Sequence, residues 1–235
     1  MVKLKIGVAL GLAMASASAV AEQEKKAPAQ EPPEEHLTPV RPFSNEITQP
    51  LARATPPSVL AILSHPDDEI TIAPVLSRIA RSGGKVTLIF ATSAPDSTAK
   101  RALALTQAAI EDAKPDVIMT WGPDGGYGHS DHRMISALVT QTVAGMGTER
   151  PELLYAAFPQ TDEGSLPQFE SWATTHPSLM TDKIRYQDVD LSATDAALGC
   201  YESQFPAQAR QGLVQLLNAR EWRGIIHIRL AFATR

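Results

Sequence analysis

From Ser58 onward the sequence alternates short apolar runs with longer segments of helical periodicity, and this alternation limits the possible folds more than any other feature. Four of the runs are typical of strands, the first of them a buried one, and three helical segments lie between them. The predicted strands are SVLAILS (58–64), KVTLIFAT (85–92), PDVIMTW (115–121) and PELLYAAFP (151–159), and the predicted helices cover about 68–82, 97–113 and 131–146. Such alternation predicts an α/β fold, a Rossmann-like, mostly parallel sheet flanked by helices.

The C-terminal part of the sequence is less regular. We predict a possible strand in DKIRYQDVDL (182–191), helices near 193–204 and 206–219, and a final strand in IIHIRLAFA (225–233). No internal repeat interrupts the region, so residues 58–235 are expected to form one α/β domain.

The N-terminal part has a different composition from the rest. Lys3 and Lys5 precede an apolar run that ends in an Ala-Val-Ala cleavage pattern, which predicts a signal peptide at 1–21 and an exported protein, periplasmic or secreted. The apolar run is too short to span a bilayer comfortably, so no stable membrane insertion is expected. Residues 22–57 are rich in Pro and Glu with little to bury, which predicts a flexible arm.

Charge and cysteine content exclude some classes of function. Loss of residues 1–21 would remove two lysines and no acids, taking the formal net charge from −5 to −7. With no basic stripe, nucleic acid is not an expected partner. The single cysteine, Cys200, cannot form an internal disulfide, and we expect it to be a small buried residue.

The first predicted strand ends in the motif HPDDE, in which one histidine is followed by three acids, Asp67, Asp68 and Glu69. Adjacent carboxylates raise one another's pKa, so this stretch needs a compensating interaction. An acidic helix start would provide one through the helix dipole. A bound cation would provide another, and the motif alone does not decide between them.

The third predicted strand ends in a second polar loop, GPDGGYGHSDHR. A dinucleotide-binding loop is rejected because Asp131 stands where the third glycine is needed, and a carboxylate would repel pyrophosphate. The carboxyl ends of parallel strands lie along one edge of the sheet, so both polar loops should meet there. His65 and Asp68 are three residues apart, as are His129 and His132, and such pairs share a face on a helical turn.

Metal chemistry explains both loops together. Zinc accepts imidazole and carboxylate ligands, and a catalytic zinc keeps three protein ligands and one open position. Two histidines and one aspartate would suffice. The polar groups then left for chemistry or support are Asp67, Tyr127, His129 and Asp131.

HPDDE followed by GGYGHSDHR resembles the LmbE-like, or PIG-L, family of zinc-dependent de-N-acetylases, and DAALGCYESQF is similar to a later stretch of that family. The resemblance implies one zinc ion per chain, although other divalent metals would fit, and an N-acetylglucosamine-type substrate. By it, His65, Asp68 and His132 bind the metal, and Asp67 is the general base. His129 polarises the carbonyl or protonates the leaving amine, Tyr127 lies beside the oxyanion, and Asp131 orients His132 from the second shell.

The sequence also departs from the family. Only 64 positions separate His65 from His129, so the domain is expected to be shorter by one strand-helix unit. Tyr201 stands where the family has a late histidine. Two other functions remain open: a secreted glycan-binding module that keeps the metal without catalysis, and a non-haem iron oxygenase in which His65, Asp67 and His132 form a facial triad.

Overall fold

The computed structural model describes residues 55–91, 99–159, 174–180 and 182–232. The predicted signal peptide at 1–21 and nearly all of the predicted arm at 22–57 lie outside these ranges. Within the described ranges, no helix combines the length and apolar character that a bilayer crossing requires.

Six strands and six α-helices build the described domain. The strands are β1 (Ser58–Leu63), β2 (Lys85–Phe90), β3 (Val117–Trp121), β4 (Glu152–Ala157), β5 (Asp182–Arg185) and β6 (Ile225–Leu230). The helices are α1 (Ala73–Arg81), α2 (Ala99–Ala113), α3 (Ser130–Gly145), α4 (Asp188–Gly199), α5 (Ala207–Arg210) and α6 (Leu213–Leu217). Short 3₁₀ turns lie at Asp68–Thr71, Gly147–Glu149 and Pro177–Leu179, and a π-helical turn at Asn218–Trp222.

The strands form one sheet in the order β2-β1-β3-β4-β6-β5. The pairs β1–β2, β1–β3 and β3–β4 are parallel, whereas β6 runs antiparallel to both β4 and β5. The predicted mostly parallel α/β sheet is therefore confirmed. β2 lies at one edge of the sheet, and α2 is the described helix between it and β3, in keeping with a shortened domain.

Helices pack against both faces of the sheet. Side chains of a strand alternate between its two sides, so β1 contributes to two cores. Val59, Ala61 and Leu63 of β1 belong to a core with α1, α4 and α6, and Leu60 and Ile62 belong to a core with α2 and α3. A strand buried on both faces must be apolar along its length, and this explains why SVLAILS and PDVIMTW are continuous apolar runs.

The C-terminal predictions need correction. The predicted strand at 182–191 stops at Arg185, because Gln187 and Asp190 form a reciprocal capping box that starts α4 five residues earlier than the predicted helix. The predicted helix at 206–219 is divided into α5 and α6 around Gly212, which breaks the helical backbone. Cys200 is exposed rather than buried, because it follows the end of α4.

Asp190 ties α4 to α1. Its side chain is fully buried and accepts hydrogen bonds from Arg81 Nε at 3.1 Å, Arg81 Nη2 at 2.9 Å, Ser77 Oγ at 3.1 Å and the Gln187 N–H at 2.9 Å. Burial alone would raise the pKa of Asp190, but these donors lower it below its ordinary value. α1 follows the HPDDE motif directly, so this contact steadies the chain behind the motif.

Candidate functional site

The two polar loops meet at the carboxyl ends of β1 and β3, which are neighbours in the sheet. The first loop, defined here as residues 64–68, carries His65 and Asp68. The glycine loop, residues 122–129, ends at His129 and leads into His132 on the first turn of α3. The topology therefore brings together side chains that are more than 60 residues apart in the sequence.

Three ligand atoms form a small triangle. His132 Nε2 lies 3.2 Å from Asp68 Oδ1 and 3.3 Å from His65 Nδ1, and His65 Nδ1 lies 3.9 Å from Asp68 Oδ1. A tetrahedral ion with bonds of about 2.0–2.1 Å holds its ligand atoms about 3.3 Å apart. The triangle therefore has dimensions close to those of a tetrahedral metal site.

Hydrogen bonds to the outward nitrogens of His65 and His132 determine which ring nitrogens carry protons. His132 Nδ1 lies 3.1 Å from the Gly125 carbonyl, and His65 Nε2 lies 3.0 Å from Asp131 Oδ2. Both partners are acceptors, so these two nitrogens carry the protons and the inward nitrogens carry lone pairs. In this tautomer two lone pairs and a carboxylate oxygen converge on one point, an arrangement that a bound cation would stabilise.

Asp68 is held as a one-oxygen ligand. Its Oδ2 accepts three N–H groups, those of Ser64, His65 and the Trp121 indole, each at 3.0 Å, which leaves Oδ1 for the triangle. Only 7% of the residue is exposed. Burial would raise the pKa of Asp68, but its contacts with His132, the His65 N–H and the Trp121 indole lower it, so the group stays anionic.

His65 and Asp68 are adjacent for a different reason from the one predicted. They do not share a helical face, because His65 lies in a turn before the 3₁₀ segment that starts at Asp68. The Asp68 N–H donates to the His65 carbonyl at 3.2 Å, and the Asp68 side chain accepts the His65 N–H. A closed turn therefore replaces the predicted helical turn.

Asp67 has an unusual backbone. Its φ of 110° lies in the left-handed region that side-chain-bearing residues rarely adopt, and its side chain makes no capping hydrogen bond. Burial, followed by the charges of Asp68 and Glu69, raises the pKa of Asp67 to about 6. A carboxylate with a raised pKa beside a cation site is a suitable proton acceptor near neutral pH.

His129 caps α3 with its own ring. Its Nδ1 accepts the Asp131 N–H at 3.2 Å, so Nδ1 carries no proton and the neutral ring carries its proton on Nε2. Burial and the neighbouring charges of His132 and His65 lower the pKa of His129. Of the two predicted roles, polarising a carbonyl by donation from Nε2 suits this ring better than protonating an amine.

A wider set of possible ligand atoms includes His129. Atoms of His65, His129 and His132 lie within 4.8 Å of one another. The set with Asp68 is tighter, at 3.2–3.9 Å, and all its outer contacts are satisfied. The triangle of His65, Asp68 and His132 is therefore the tighter candidate set, and His129 lies beside it.

Asp131 acts on a different histidine from the one predicted. It was expected to orient His132, but its carboxylate contacts His65, and the Gly125 carbonyl takes the place beside His132. This hydrogen bond to His65 is the largest cause of the lowered pKa of Asp131. Asp131 lies on the first turn of α3, after β3, and its carboxylate contacts His65, which follows β1.

Tyr127 lies at the open side of the site. Its ring meets those of His129 and His132 edge-on, with centroids 5.8 Å and 5.1 Å apart. Burial, and then the charges of Asp68, Asp67 and Asp131, raise the pKa of Tyr127, so the phenol keeps its proton.

Trp121, the last residue of β3, supports both loops. Its indole donates to Asp68, and its ring stacks on that of His132 with centroids 4.3 Å apart and planes 6° apart. The ring also lies directly under Gly126, where a Cβ would approach it to 2.7 Å. The position of Trp121 as the last residue of a buried strand beside HPDDE was the available signal.

Comparison with known proteins gives relatives that match part of the chain. No model of a known protein family matches it. Over 100 residues it is 37% identical to the 1D-myo-inositol 2-acetamido-2-deoxy-alpha-D-glucopyranoside deacetylase of Corynebacterium diphtheriae, a match covering 43% of this chain and 32% of that protein. The protein of the same name from Rhodococcus opacus is 51% identical over 43 residues, which is 18% of this chain and 15% of the relative. The chain spans about a third or less of the length of the curated relatives it matches.

Solved structures share the architecture. The N,N'-diacetylchitobiose deacetylase from Pyrococcus horikoshii, complexed with its inhibitor MPG, aligns with a TM-score of 0.53 and 14% identity, over 74% of this chain and 83% of that one. The resemblance to the LmbE-like family is confirmed. A deacetylase triple mutant involved in the teicoplanin biosynthetic pathway aligns with a TM-score of 0.51 and 11% identity, over 75% and 100%. At these identities the likeness to solved structures shows the fold alone.

Proposed function

We propose that the protein is a zinc-dependent N-deacetylase that removes an acetyl or related acyl group from an N-acetylglucosamine-type sugar conjugate. The observation that carries the proposal is the convergence of two imidazole lone pairs and one carboxylate oxygen, from His65, His132 and Asp68, beside the raised-pKa carboxyl of Asp67. The activity in the relatives' name, deacetylation of an acetamido sugar, supports the same chemistry.

A zinc ion held by His65, Asp68 and His132 would lower the pKa of water to about 7 and polarise the acyl oxygen. Asp67 accepts the proton of the attacking water on its carboxylate and returns it to the departing amine nitrogen. His129 donates from Nε2 to the acyl oxygen, since its Nδ1 is engaged by the helix cap. Tyr127 is a further donor at the same opening, because its raised pKa keeps the phenol protonated.

The other two functions have less support. An iron oxygenase triad would use Asp67 in place of Asp68, but Asp68 Oδ1 is the carboxylate oxygen in the triangle. That triad usually lies on an all-β fold, and this sheet is flanked by helices. A non-catalytic glycan-binding module would keep the same metal ligands. The edge position of β2 favours it, because a shortened domain offers less surface to contact a substrate.

Acetate release tests the proposal. The purified protein, loaded with zinc, is incubated with a panel of N-acetyl glycans that includes N,N'-diacetylchitobiose and the acetamido-glucosyl inositol of the relatives' name, and bound metal is measured on the same sample. We expect release of acetate that a chelator abolishes and added zinc restores. Stoichiometric metal with glycan binding but no acetate would favour the glycan-binding module, and absence of bound metal would contradict both.

The proposal also includes export, because the N-terminal pattern is that of a signal peptide cleaved after Ala21. We expect the mature protein to begin at Glu22 and to occur in the periplasm or the medium. N-terminal sequencing of the fractionated protein checks this, and an intact Met1 in the cytosolic fraction would contradict it.

A further inference from the structure

We propose that Tyr201 is a positioning residue that fixes the backbone of Asp67 through Glu69. The proposal rests on the proposed function, in which Asp67 accepts and returns a proton. It assigns a purpose to the third acid of HPDDE, which neither the metal triangle nor the proton transfer uses, and to a tyrosine that enters from the C-terminal part of the chain.

Both carboxylate oxygens of Glu69 are engaged. The Tyr201 hydroxyl donates to Oε1, and the Asp67 N–H donates to Oε2 at 3.1 Å. Glu69 is only 6% exposed, so these two hydrogen bonds satisfy a carboxyl group that has little access to water. Tyr201 and Asp67 are thus joined through one buried side chain, and the Asp67 backbone N–H also interacts with the Tyr201 oxygen.

The Asp67 backbone needs such a contact. A residue with a Cβ persists at φ 110° only where its surroundings hold it there, and its own side chain makes no capping bond. Glu69 accepts the N–H of this same residue. If that bond were lost, Asp67 could relax toward ordinary φ values, and its carboxylate would turn away from the site. The donor that fixes Glu69 therefore also fixes the direction of Asp67.

Tyr201 is well placed to act at a distance. It follows the end of α4, its N–H donates to the Leu198 carbonyl at 3.0 Å, and α4 is tied to α1 through Asp190. Its ring packs against the core. Burial, and then the hydrogen bond to Glu69, raise the pKa of Tyr201, so the hydroxyl remains a donor.

The substitution Tyr201→Phe separates positioning from packing, because it removes the hydroxyl and keeps the ring. We expect kcat to fall about 10–100-fold, the range typical for loss of an outer support, with KM and bound zinc unchanged. The matched control is Tyr186→Phe, which removes another buried tyrosine hydroxyl, one that donates to Asn218 away from the site. The control is expected to leave kcat and KM unchanged.

A second variant tests the hydrogen bonds against the charge. In Glu69→Gln the amide oxygen can still accept the Asp67 N–H, and the amide nitrogen can donate to the Tyr201 oxygen. We expect this variant to lose less kcat than Tyr201→Phe. A larger loss in Glu69→Gln would mean that the negative charge acts, and would overturn the proposal.

Amide hydrogen exchange at Asp67 provides a readout that does not depend on turnover. We expect exchange at Asp67 to quicken about tenfold in Tyr201→Phe and to stay unchanged in Tyr186→Phe, because a looser acceptor protects the N–H less. If the unmodified protein releases no acetate but this difference is found, the positioning role stands and the deacetylase proposal fails. If the unmodified protein is active, and Tyr201→Phe changes neither kcat nor exchange at Asp67, the positioning role is overturned.

Discussion

The first loop places His65 and Asp68 at the site, and the glycine loop places His129 there and leads to His132, yet the two loops are held in different ways. In the first loop, side chains and buried donors fix the geometry: three N–H groups hold Asp68 Oδ2, and Glu69 holds the Asp67 N–H. In the glycine loop the backbone fixes it, through positive φ values at Gly125, Gly126 and Gly128. The first loop thus depends on the chemistry of its neighbours, and the glycine loop on the space that missing side chains leave.

Trp121 joins the two arrangements. It donates to Asp68 from one edge of its ring, and its face lies between His132 and Gly126. A change in the first loop should therefore alter the charge and hydrogen bonding of the metal site. A change in the glycine loop should instead shift the position of His132. Each variant below tests one side of this comparison.

The largest effect is expected from the two histidines of the glycine loop and α3. His132→Ala should lose the metal and all activity, because it removes a buried ligand. His129→Ala should keep the metal and lose about 10²–10⁴ in rate, the usual range for a polarising or proton-transfer group. Metal analysis after dialysis, together with acetate release, checks both. Equal loss of metal in the two variants would place His129 among the ligands.

The adjacent aspartates of the first loop provide the next test. Asp67→Asn should retain near-stoichiometric zinc and lose about 10²–10⁴ in rate, because an amide cannot accept the water's proton at neutral pH. Asp68→Asn should bind zinc more weakly, since its anionic oxygen becomes neutral. The same metal and acetate measurements apply, and an empty Asp67→Asn beside a loaded Asp68→Asn would reverse the assignment.

Asp131 crosses from α3 to the first loop, so its removal measures the link between the two regions. Asp131→Ala should weaken zinc binding about 10–100-fold, because His65 loses the acceptor that sets its ring and tautomer. Asp112→Ala, at an exposed position of α2, is the control and should change affinity little. Competition with a zinc chelator gives both affinities, and equal values would mean that the contact to His65 has no effect.

The contact of Asp190 with Arg81, which ties α4 to α1 behind the first loop, depends on the ionisation of Asp190. At pH 7, Asp190→Asn should destabilise the fold by about 2 kcal/mol, as buried charge-assisted hydrogen bonds are lost. The folded pKa of Asp190 lies below that of an unfolded aspartate, about 3.9, so its contribution is present above about pH 4 and is lost as the pH falls through the folded value. The Tm difference between the two proteins should therefore narrow from pH 7 to pH 3. A Tm difference that stays constant over this pH range would contradict an ionic contact between Asp190 and Arg81.

The smallest effect is expected in the glycine loop. Gly126→Ala should cost about 1–2 kcal/mol, because alanine is disfavoured at φ 70°. The added Cβ would also press on the Trp121 ring and shift His132, so zinc affinity should fall as well. Gly145→Ala on α3, where no atom lies within 4 Å of the added Cβ, should be neutral or slightly stabilising. Urea denaturation compares the two, and equal stability would show that the loop adapts.

Local patterns predicted the parallel part of the domain well, and its C-terminal part less well. Strands β1, β3 and β4 are buried along nearly their whole length, so their apolar runs identify them wherever they pack, whereas β2 at the edge of the sheet is only half-buried. α4 depends instead on a capping box between Gln187 and Asp190, and Asp190 is buried only because Arg81 comes from another helix. A charged residue whose partner is more than 100 residues away looks exposed when only its neighbours in the sequence are considered.

The sequence by itself determined the types of residue at the site and the edge of the sheet at which they meet. Strand-helix alternation makes the sheet parallel, and a parallel sheet brings the residues after β1 and β3 to the same edge. The tertiary structure decided which atoms face one another. Gly125 lies beside His132, Asp131 beside His65 and Tyr201 beside Glu69 because packing sets the direction of each side chain. A hydrogen bond depends on distances within a few tenths of an ångström, and those are set when helices and loops pack against the sheet.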